Sequence, residues 1–398
     1  MPVTRREWMM TTAGVAVGST LLPMGCSRST PSTTIEPDTL ARFPGKVPMR
    51  VVNDRPTCLE TPWRYYREDF TPNEAFYVRW HLQALPTDID LTSWRLRIDG
   101  AVDTALELSM DDLRGMGDDE IVAVNQCSGN SRSLLAPRVA GAQWRNGAMG
   151  NARWGGVSLA KLLQRAGVKK DAVQVTFDGL DEGPLASVPD FVKALDIDHA
   201  LESEVTVAYA MNNEPLPGLN GFPARLIVPG WYATYWVKAL HRITVLPKIY
   251  DGYWMAKAYK LATTPNGNED PKHLATDLVP INRLNVRSFF TTPDNGAEVP
   301  VGKSCDLDGI AFDGGSGIRT VELSADEGKS WSATTLDADL GRFSFRRWRF
   351  AWTPPAHGTY RLLVRATSRD GQTQPAVAGW SRGGFMRNVV EEIALRAV

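Results

Sequence analysis

Cysteine is scarce in this sequence, and the positions of the few cysteines exclude several classes of protein. The 398 residues include 4 Cys, at positions 26, 58, 127 and 305. No two of them have CxxC spacing, which excludes a zinc ribbon, a thioredoxin-type motif and covalent attachment of a c-type haem. Four cysteines in a chain of this length also do not form a disulfide scaffold. Any cysteine chemistry must therefore come from a single thiol.

An excess of one charge is absent as well. Lys and Arg total 44 against 45 Asp and Glu, which leaves a net charge of -1. No overall attraction to nucleic acid follows from that balance, although it is compatible with a local basic pocket for a small anion. The composition, 43% hydrophobic and 22% charged, is typical of a globular protein, and the length indicates two or three folded units.

The sequence also lacks an apolar run long enough to span a bilayer. The most apolar N-terminal stretch, residues 11–24, is too short and too rich in Gly and Thr. It follows the pair Arg5 and Arg6, so residues 1–26 are predicted to be a Tat-type signal peptide that directs the folded chain to the periplasm. Lipid anchoring at Cys26 is the weaker alternative, because the preceding LPMG is a poor match to a lipoprotein cleavage site. Residues 27–42, rich in Ser, Thr and Pro, are predicted to be a flexible tether.

Two kinds of pattern follow the tether. Residues 43–275 combine strand-like runs, as at 94–98 and 173–177, with a helical stretch at 159–166 that Gly167 ends, which predicts an α+β domain. In residues 280–398 short strands recur between turn signals, which predicts an immunoglobulin-like sandwich. The strands are expected at 305–312, 319–324, 331–336, 343–352 and 360–366, with a β-bulge in the fourth, where the aromatic phase changes.

The segment most informative about chemistry is 126–132, QCSGNSR. Its cysteine ends an apolar run and opens a loop of small polar residues that contains an arginine. A thiolate is a soft metal ligand, and a nearby cation favours it over the thiol. From the residues alone, Cys127 is a metal ligand, a nucleophile or a small buried side chain, and the last is the most common fate of a cysteine.

Four ordered segments resemble the sulfite oxidase family. They are 76–81 (FYVRWH), 126–132 continued by 144–154 (WRNGAMGNARW), 213–225 and 228–238, and the resemblance extends over roughly residues 45–390. It implies a molybdenum–molybdopterin cofactor, one molybdenum per chain, with Cys127 as the one protein ligand to the metal. It also implies that the C-terminal sandwich is a dimerisation domain.

The resemblance implies a set of catalytic residues too. Sulfite is a compact oxyanion, which suits fixed arginine forks. By position, Arg79 and Arg132 resemble the substrate-pocket arginines of the family, with Trp144 as a wall. Tyr259 resembles its active-site tyrosine, with Tyr253 as a competitor. His81 contacts substrate or pterin, or is a core histidine; both alternatives stay open.

Further residues resemble cofactor ligands or depart from the family pattern. Arg225 and Lys238 resemble ligands of the pterin phosphate, and Arg79 and His81 are also expected against the cofactor. Asn220 stands where a histidine often contacts that phosphate, and Ser131 stands where an arginine is common. In vertebrate members of the family an arginine completes the anion pocket, and Gly383 stands at the aligned position in this sequence. Arg382 lies one residue earlier and Arg387 four residues later, so either of them reaches the pocket, or neither does.

The function implied by the resemblance is oxidation of sulfite to sulfate with electrons passed to an external c-type cytochrome, as in bacterial sulfite dehydrogenases. We expect no haem in this chain and no transmembrane segment. A homodimer is expected, and an assembly with a cytochrome subunit is a further option. The alternatives are a sulfane dehydrogenase subunit of a thiosulfate-oxidising complex, a sulfoxide reductase, and an envelope binding protein without enzymatic activity, which would contain no molybdenum.

Overall fold

Short strands make up most of the regular structure. The computed structural model describes residues 40, 41 and 43–398. The predicted signal peptide 1–26, with Cys26, and residues 27–39 and 42 of the predicted tether lie outside the described residues. Leu40–Ala41, which the sequence assigned to the tether, form a strand that pairs with residues 49–50.

The part of the chain up to residue 262 contains three sheets. Their strand orders are β1-β2-β3-β4, β10-β9-β14-β5-β6 and β12-β11-β8-β7, with β13 paired to β11; β14 and β5 run parallel. The strands are β1 (Leu40–Ala41), β2 (Met49–Asn53), β3 (Cys58–Glu60), β4 (Val78–Arg79), β5 (Leu96–Gly100), β6 (Leu106–Leu108), β7 (Asp119–Gln126), β8 (Met149–Ser158), β9 (Gln174–Gly179), β10 (Lys193–Asp196), β11 (Thr206–Met211), β12 (Glu214–Pro215), β13 (Arg225–Ile227), β14 (Leu240–Leu246) and β15 (Lys260–Ala262).

Helices are few and short. Within the described residues the α-helices are α1 (Met110–Gly115), α2 (Leu159–Ala166), α3 (Ile197–Ala200) and α4 (Tyr253–Ala256). The predicted helix at 159–166 coincides with α2, and Gly167 ends it in the left-handed conformation, with φ 72°. The predicted mixture of strands and helices is present, but this part is mostly sheet. None of the helices in the described range has the length and apolarity needed to cross a membrane.

The C-terminal part forms two more large sheets, which we call the C-terminal sheets. One has the order β17-β19-β23-β22 and the other β18-β25-β24-β20-β21, and β16 pairs with β15 outside them. The strands are β16 (Leu278–Pro280), β17 (Arg287–Thr292), β18 (Glu298–Val299), β19 (Cys305–Phe312), β20 (Ile318–Ser324), β21 (Ser332–Ala333), β22 (Thr335–Leu336), β23 (Arg346–Trp352), β24 (Gly358–Ser368) and β25 (Glu391–Ala397).

The C-terminal sheets enclose a common apolar core. Phe290 and Trp348 of one sheet belong to the same buried cluster as Leu362 and Ile393 of the other. The predicted strand at 305–312 coincides with β19. The predicted β-bulge is wrong: β23 begins only at Arg346 and pairs with β19 without a shift of register.

The two parts pack tightly on each other, and the described chain from Leu40 to Val398 forms one compact unit. Phe343 belongs to the core of the N-terminal part, and its carbonyl accepts a hydrogen bond of 2.9 Å from the Val124 amide on β7. A further buried cluster joins Tyr259 to Phe289 and Phe312 of the C-terminal sheets. The end of β7 is therefore held from both parts.

Candidate active site

Cys127 lies directly after the last residue of β7, at the start of the connection 127–148 that links β7 to β8. Gln126 pairs with Met149 of β8, and the Cys127 amide donates to the Ala148 carbonyl at 2.9 Å. The chain then turns back, because the Asn130 amide donates to the Cys127 carbonyl at 3.0 Å. The side chain is 7% exposed, which leaves the thiol in a protected position at the wall of a cavity.

That cavity has a volume of about 400 Å³, including its mouth. Its walls come from widely separated segments: 77–81 around β4, the loop after β7, the segment 219–225, the segment 233–238 and Tyr259. The lining residues are Tyr77, Arg79, His81, Asn125, Cys127, Ser128, Leu219, Asn220, Arg225, Ala233, Thr234, Lys238 and Tyr259. Six of the predicted site residues, from four separate sequence segments, meet here with the cysteine.

The cavity wall is strongly basic. Arg79, Arg225 and Lys238 line it, and none of the described lining residues carries a carboxylate. Burial lowers the pKa of Arg225 to about 10, and burial, followed by the charge of Arg225, lowers that of Lys238 to about 7. The buried Asp181, which does not line the cavity, offsets the lowering for Lys238 only in part, and neither cation has an anionic partner on the described cavity wall. An anionic ligand in the cavity would supply one.

Arg79 is placed by β4, where it lies opposite Cys58 of β3. Its guanidinium donates to the Trp80 carbonyl and, at 3.5 Å, to the Tyr259 hydroxyl. Burial acts to lower the pKa of Arg79, but the neighbouring Tyr259 and the thiols of Cys58 and Cys127 raise it above its usual value. Arg79 is thus a fixed positive charge beside the cysteine.

Tyr259 and His81 form a hydrogen-bonded pair between the Tyr259 hydroxyl and the Nε2 atom of His81. The His81 ring stacks on Phe191 with centroids 3.6 Å apart. Burial, reinforced by Arg79, lowers the pKa of His81 well below its usual value, while burial raises that of Tyr259. The pair is therefore neutral. Tyr253, the competing tyrosine, is 48% exposed on α4 and does not line the cavity.

Arg132 lies next to the cavity without lining it. Its Nη1 donates to the Ala142 carbonyl at 3.0 Å, and its Nε and Nη2 donate to the Gly383 carbonyl at 3.2 and 3.0 Å. The guanidinium also lies 5.3 Å from the ring centroid of Phe385. Burial lowers the pKa of Arg132.

Trp144 and the two C-terminal arginines also lie off the cavity wall. Trp144 is fully buried in the core, edge-on to Tyr77, so it supports the wall from behind. The Arg382 side chain is bound to Glu269, with Nε 2.9 Å from Oε1. That of Arg387 pairs with Glu391 at 3.1 Å. At the aligned position the chain offers instead the Gly383 carbonyl, which faces Arg132.

Asn220 lines the cavity but is held firmly by the protein. Its Oδ1 accepts from the Lys46 Nζ at 2.5 Å, and its Nδ2 donates to the Tyr77 carbonyl at 3.0 Å. Its own carbonyl accepts from Arg225 Nη1 at 2.8 Å. Sequence reasoning missed Lys46, for which no motif gave a signal. It also passed over six lining residues inside or beside the quoted segments, and their positions in those segments could have indicated them: Tyr77, Asn125, Ser128, Leu219, Ala233 and Thr234.

Comparison with known proteins assigns the chain to a family. Residues 81–254 match the oxidoreductase molybdopterin-binding domain, and residues 279–397 match the Mo-co oxidoreductase dimerisation domain. The chain is 33% identical over 360 residues to sulfite oxidase from Gallus gallus, which covers 85% of this chain and 76% of that protein. The chain belongs to the sulfite oxidase family.

Two further relatives set the scope of that assignment. Mitochondrial sulfite oxidase from Homo sapiens is also 33% identical over 360 residues, covering 85% of this chain but 64% of the human protein, so the chain spans about two thirds of the length of that relative. The crystal structure of the sulfane dehydrogenase SoxCD from Paracoccus pantotrophus has the same fold, with a TM-score of 0.73 at 23% identity, covering 85% of this chain and 84% of the other.

The cavity suits the cofactor that the family name implies. In the described chain, no group of three or more His, Cys, Asp or Glu side chains could hold a metal ion, so Cys127 can serve only a metal that brings other ligands with it. Several buried polar atoms of the described cavity wall lack a hydrogen-bond partner within the protein. They are His81 Nδ1, Asn125 Nδ2, Ser128 Oγ, Arg225 Nε and Thr234 Oγ1. A soft thiol, cations with no carboxylate beside them on the described wall and buried polar atoms without a partner together fit an anionic, heteroatom-rich metal cofactor such as molybdopterin.

Proposed function

We propose that this chain oxidises sulfite to sulfate at a molybdenum–molybdopterin centre, one molybdenum per chain, and passes the electrons to an external c-type cytochrome. The observation that carries this proposal is the cavity in which Cys127 stands among cations that have no carboxylate partner on the described wall. An oxyanion substrate and an anionic cofactor both satisfy such a site. Oxygen-atom transfer and uptake of two electrons are the chemistry that the bound cofactor supplies.

The residues on the wall divide by position. Cys127 would be the protein ligand to molybdenum. Arg225, which donates to the Asn220 carbonyl, and Lys238 suit the phosphate of the pterin because neither has a carboxylate partner among the described residues of the cavity wall. Arg79 lies on the side of Tyr259, where its fixed charge would orient sulfite.

The neutral Tyr259–His81 pair offers a hydroxyl next to the guanidinium of Arg79. Because His81 resists protonation, it adds no charge to the site and can keep the tyrosine hydroxyl in place. Arg132, whose guanidinium is anchored by two carbonyls, would act on the anion through its charge rather than by a direct bond.

We further propose a cellular setting. The arginine pair at 5–6 supports export through the Tat route to the periplasm, with lipidation of Cys26 the less favoured option. The match of 279–397 to a dimerisation domain supports a homodimer formed through an immunoglobulin-like sandwich, and an assembly with a cytochrome subunit stays an option. No haem is proposed for this chain.

A substrate panel on the purified holoprotein tests the proposal. Molybdenum and pterin are assayed first, since a binding protein without enzymatic activity should contain neither. Sulfite, thiosulfate and a sulfane sulfur donor are then compared as reductants with a one-electron acceptor, and methionine sulfoxide is compared as an oxidant with reduced enzyme. We expect the highest kcat/KM with sulfite. A higher kcat/KM with the sulfane donor or with the sulfoxide would contradict the proposal and identify that compound class as the substrate.

A further inference from the structure

Arg287, a buried arginine of the C-terminal sheets, reaches the loop that carries Cys127. It is the first residue of β17, and its side chain is 1% exposed. Its Nη2 donates to the Ser131 hydroxyl at 3.0 Å, and its Nη1 donates to Gln126 Oε1 at 3.5 Å. One guanidinium therefore contacts the residue just before Cys127 and a residue four positions after it. Arg287 does not line the cavity.

The guanidinium is oriented by a carboxylate from the opposite sheet. Glu391, the first residue of β25, accepts from Arg287 Nη2 at 2.7 Å and from Arg387 Nη1 at 3.1 Å. All three side chains are at least largely buried. A buried ion pair gives little net stability compared with apolar packing, because both ions lose their hydration. The ion pair does fix the direction of the Arg287 guanidinium, because Glu391 holds it so that it faces the loop.

The loop needs such support at both ends. Ser131 has φ 72°, a left-handed conformation that residues other than glycine rarely adopt. Its hydroxyl, held by Arg287, donates to Asn146 Oδ1 at 2.5 Å. At the other end, Gln126 Oε1 also accepts from Asn130 Nδ2 at 3.1 Å. These bonds close the segment 126–131 into a small polar network around Cys127.

We propose that Arg287 is a positioning residue: its guanidinium, oriented by Glu391, holds the segment 126–131 in the conformation that presents Cys127 to the cofactor. The C-terminal sheets thereby have a task in the cofactor site in addition to any role in dimerisation. The inference rests on the proposed role of Cys127 as the metal ligand but not on sulfite as the substrate. It predicts that loosening this contact frees the loop and weakens retention of the metal.

The test compares two variants of the full-length holoprotein with a matched control. Arg287→Gln removes both the charge and the fork. Arg287→Lys keeps a charge opposite Glu391, but its single ammonium cannot reach the glutamate and both loop residues together. Arg361→Gln is the control, because Arg361 forms an exposed pair with Glu392, the neighbour of Glu391 on β25. The readouts are hydrogen–deuterium exchange of the amides of 126–133, the rate of molybdenum loss at constant temperature, and Tm.

Both Arg287 variants should exchange the loop amides faster and lose molybdenum faster than the control, by on the order of tenfold, as expected for a lost hydrogen bond to a charged group. Arg287→Lys should keep a Tm closer to that of the wild type and still show the faster loop. A lowered Tm with loop exchange and molybdenum loss equal to those of Arg361→Gln would reduce Arg287 to a structural role and overturn the proposal. If the wild type binds no molybdenum, the proposed function fails, while loop exchange still decides whether Arg287 holds the loop.

Discussion

At the scale of single residues, the assignment of Cys127 is the one on which the site depends. Cys127→Ser replaces a soft thiolate by a hard hydroxyl of similar size, so we expect molybdenum content and turnover to collapse while Tm changes little. Cys305→Ser, in a half-buried position on β19 far along the chain, is the matched control and should keep both. Metal analysis and steady-state kinetics on the two variants provide the measurement. Sulfite oxidation by Cys127→Ser near the level of the wild type would defeat the assignment.

Arg382 illustrates how a residue near the site differs from a residue in it. Its side chain binds Glu269, whose carboxylate side chain is 1% exposed. Arg382→Ala should therefore leave kcat/KM for sulfite within about twofold of the wild type and lower the free energy of unfolding by about 1–3 kcal/mol, because a buried carboxylate loses its partner. Arg79→Ala is the positive control, with a loss of at least about tenfold in kcat/KM. A larger loss of kcat/KM in Arg382→Ala than in Arg79→Ala would show that Arg382 belongs to the anion pocket.

We expect the buried Lys193 to make the stability of the protein depend on pH. Burial lowers the pKa of its amine from 10.5 to about 7, and the amine lies over the rings of Tyr235 and Tyr259 with one hydrogen bond, to the Trp254 carbonyl at 2.7 Å. The unfolded chain holds this proton more tightly, so the cost of burying the amine is complete below pH 7 and declines as pH rises toward 10.5.

Lys193→Met should therefore stabilise the fold, by roughly 1 kcal/mol or more near pH 6 and by less near pH 9. Chemical denaturation at both pH values measures the difference. The exposed Lys161 provides the control substitution, Lys161→Met, for which no such gain is expected. A gain that is equal at the two pH values, or absent at the lower one, would show that Lys193 carries no burial cost.

At the scale of elements, the segment after residue 380 determines where Arg132 points. Gly384 has φ 60°, and a Cβ atom there would lie 2.8 Å from Cγ and Nε of Arg132. Gly384→Ala should displace the guanidinium and lower kcat/KM for sulfite by roughly ten- to hundredfold. Gly302→Ala is the control. Its φ of 69° gives backbone strain comparable to that of Gly384→Ala, but nothing lies within 4 Å of the added Cβ, so there is no clash. Equal kinetics in the two variants would mean that the position of Arg132 does not affect catalysis.

Elements with a strong local signal were predictable. The turn signals that bound residues 305–312 and the helical spacing before Gly167 predicted β19 and α2 with their observed bounds. The β-bulge was wrong because Phe343 and Phe345 do not belong to the strand. Their rings fill cores shared with the N-terminal part, and the aromatic phase changes where the chain leaves those cores.

The candidate site shows the same limit. The motifs identified Cys127, Arg79 and Lys238, which line one cavity although they are far apart in sequence. Motifs cannot give the direction of a side chain when the partner that sets it lies elsewhere: Arg132 is turned by the Gly383 carbonyl, 251 positions away. For the same reason no pattern near Cys127 pointed to Arg287.

At the scale of the whole molecule, the N-terminal and C-terminal parts depend on each other. Phe343 supplies a carbonyl to β7, Met386 donates its amide to the Ser128 carbonyl at 2.7 Å, and Arg287 holds Ser131. A chain cut near residue 280 would lose all of these contacts to the Cys127 loop. The neighbouring parts are thus best treated as one cooperative unit with one site.

We propose that the whole molecule passes electrons from sulfite to a one-electron protein acceptor through a molybdenum site at Cys127. The most direct measurement is sulfite-dependent reduction of cytochrome c by the purified holoprotein, with sulfate quantified in the same reaction. We expect cytochrome reduction in proportion to molybdenum content, with about two cytochromes reduced per sulfate formed because the oxidation releases two electrons, and no reduction with Cys127→Ser. Molybdenum-loaded protein that forms no sulfate and reduces no cytochrome when sulfite is added would contradict it.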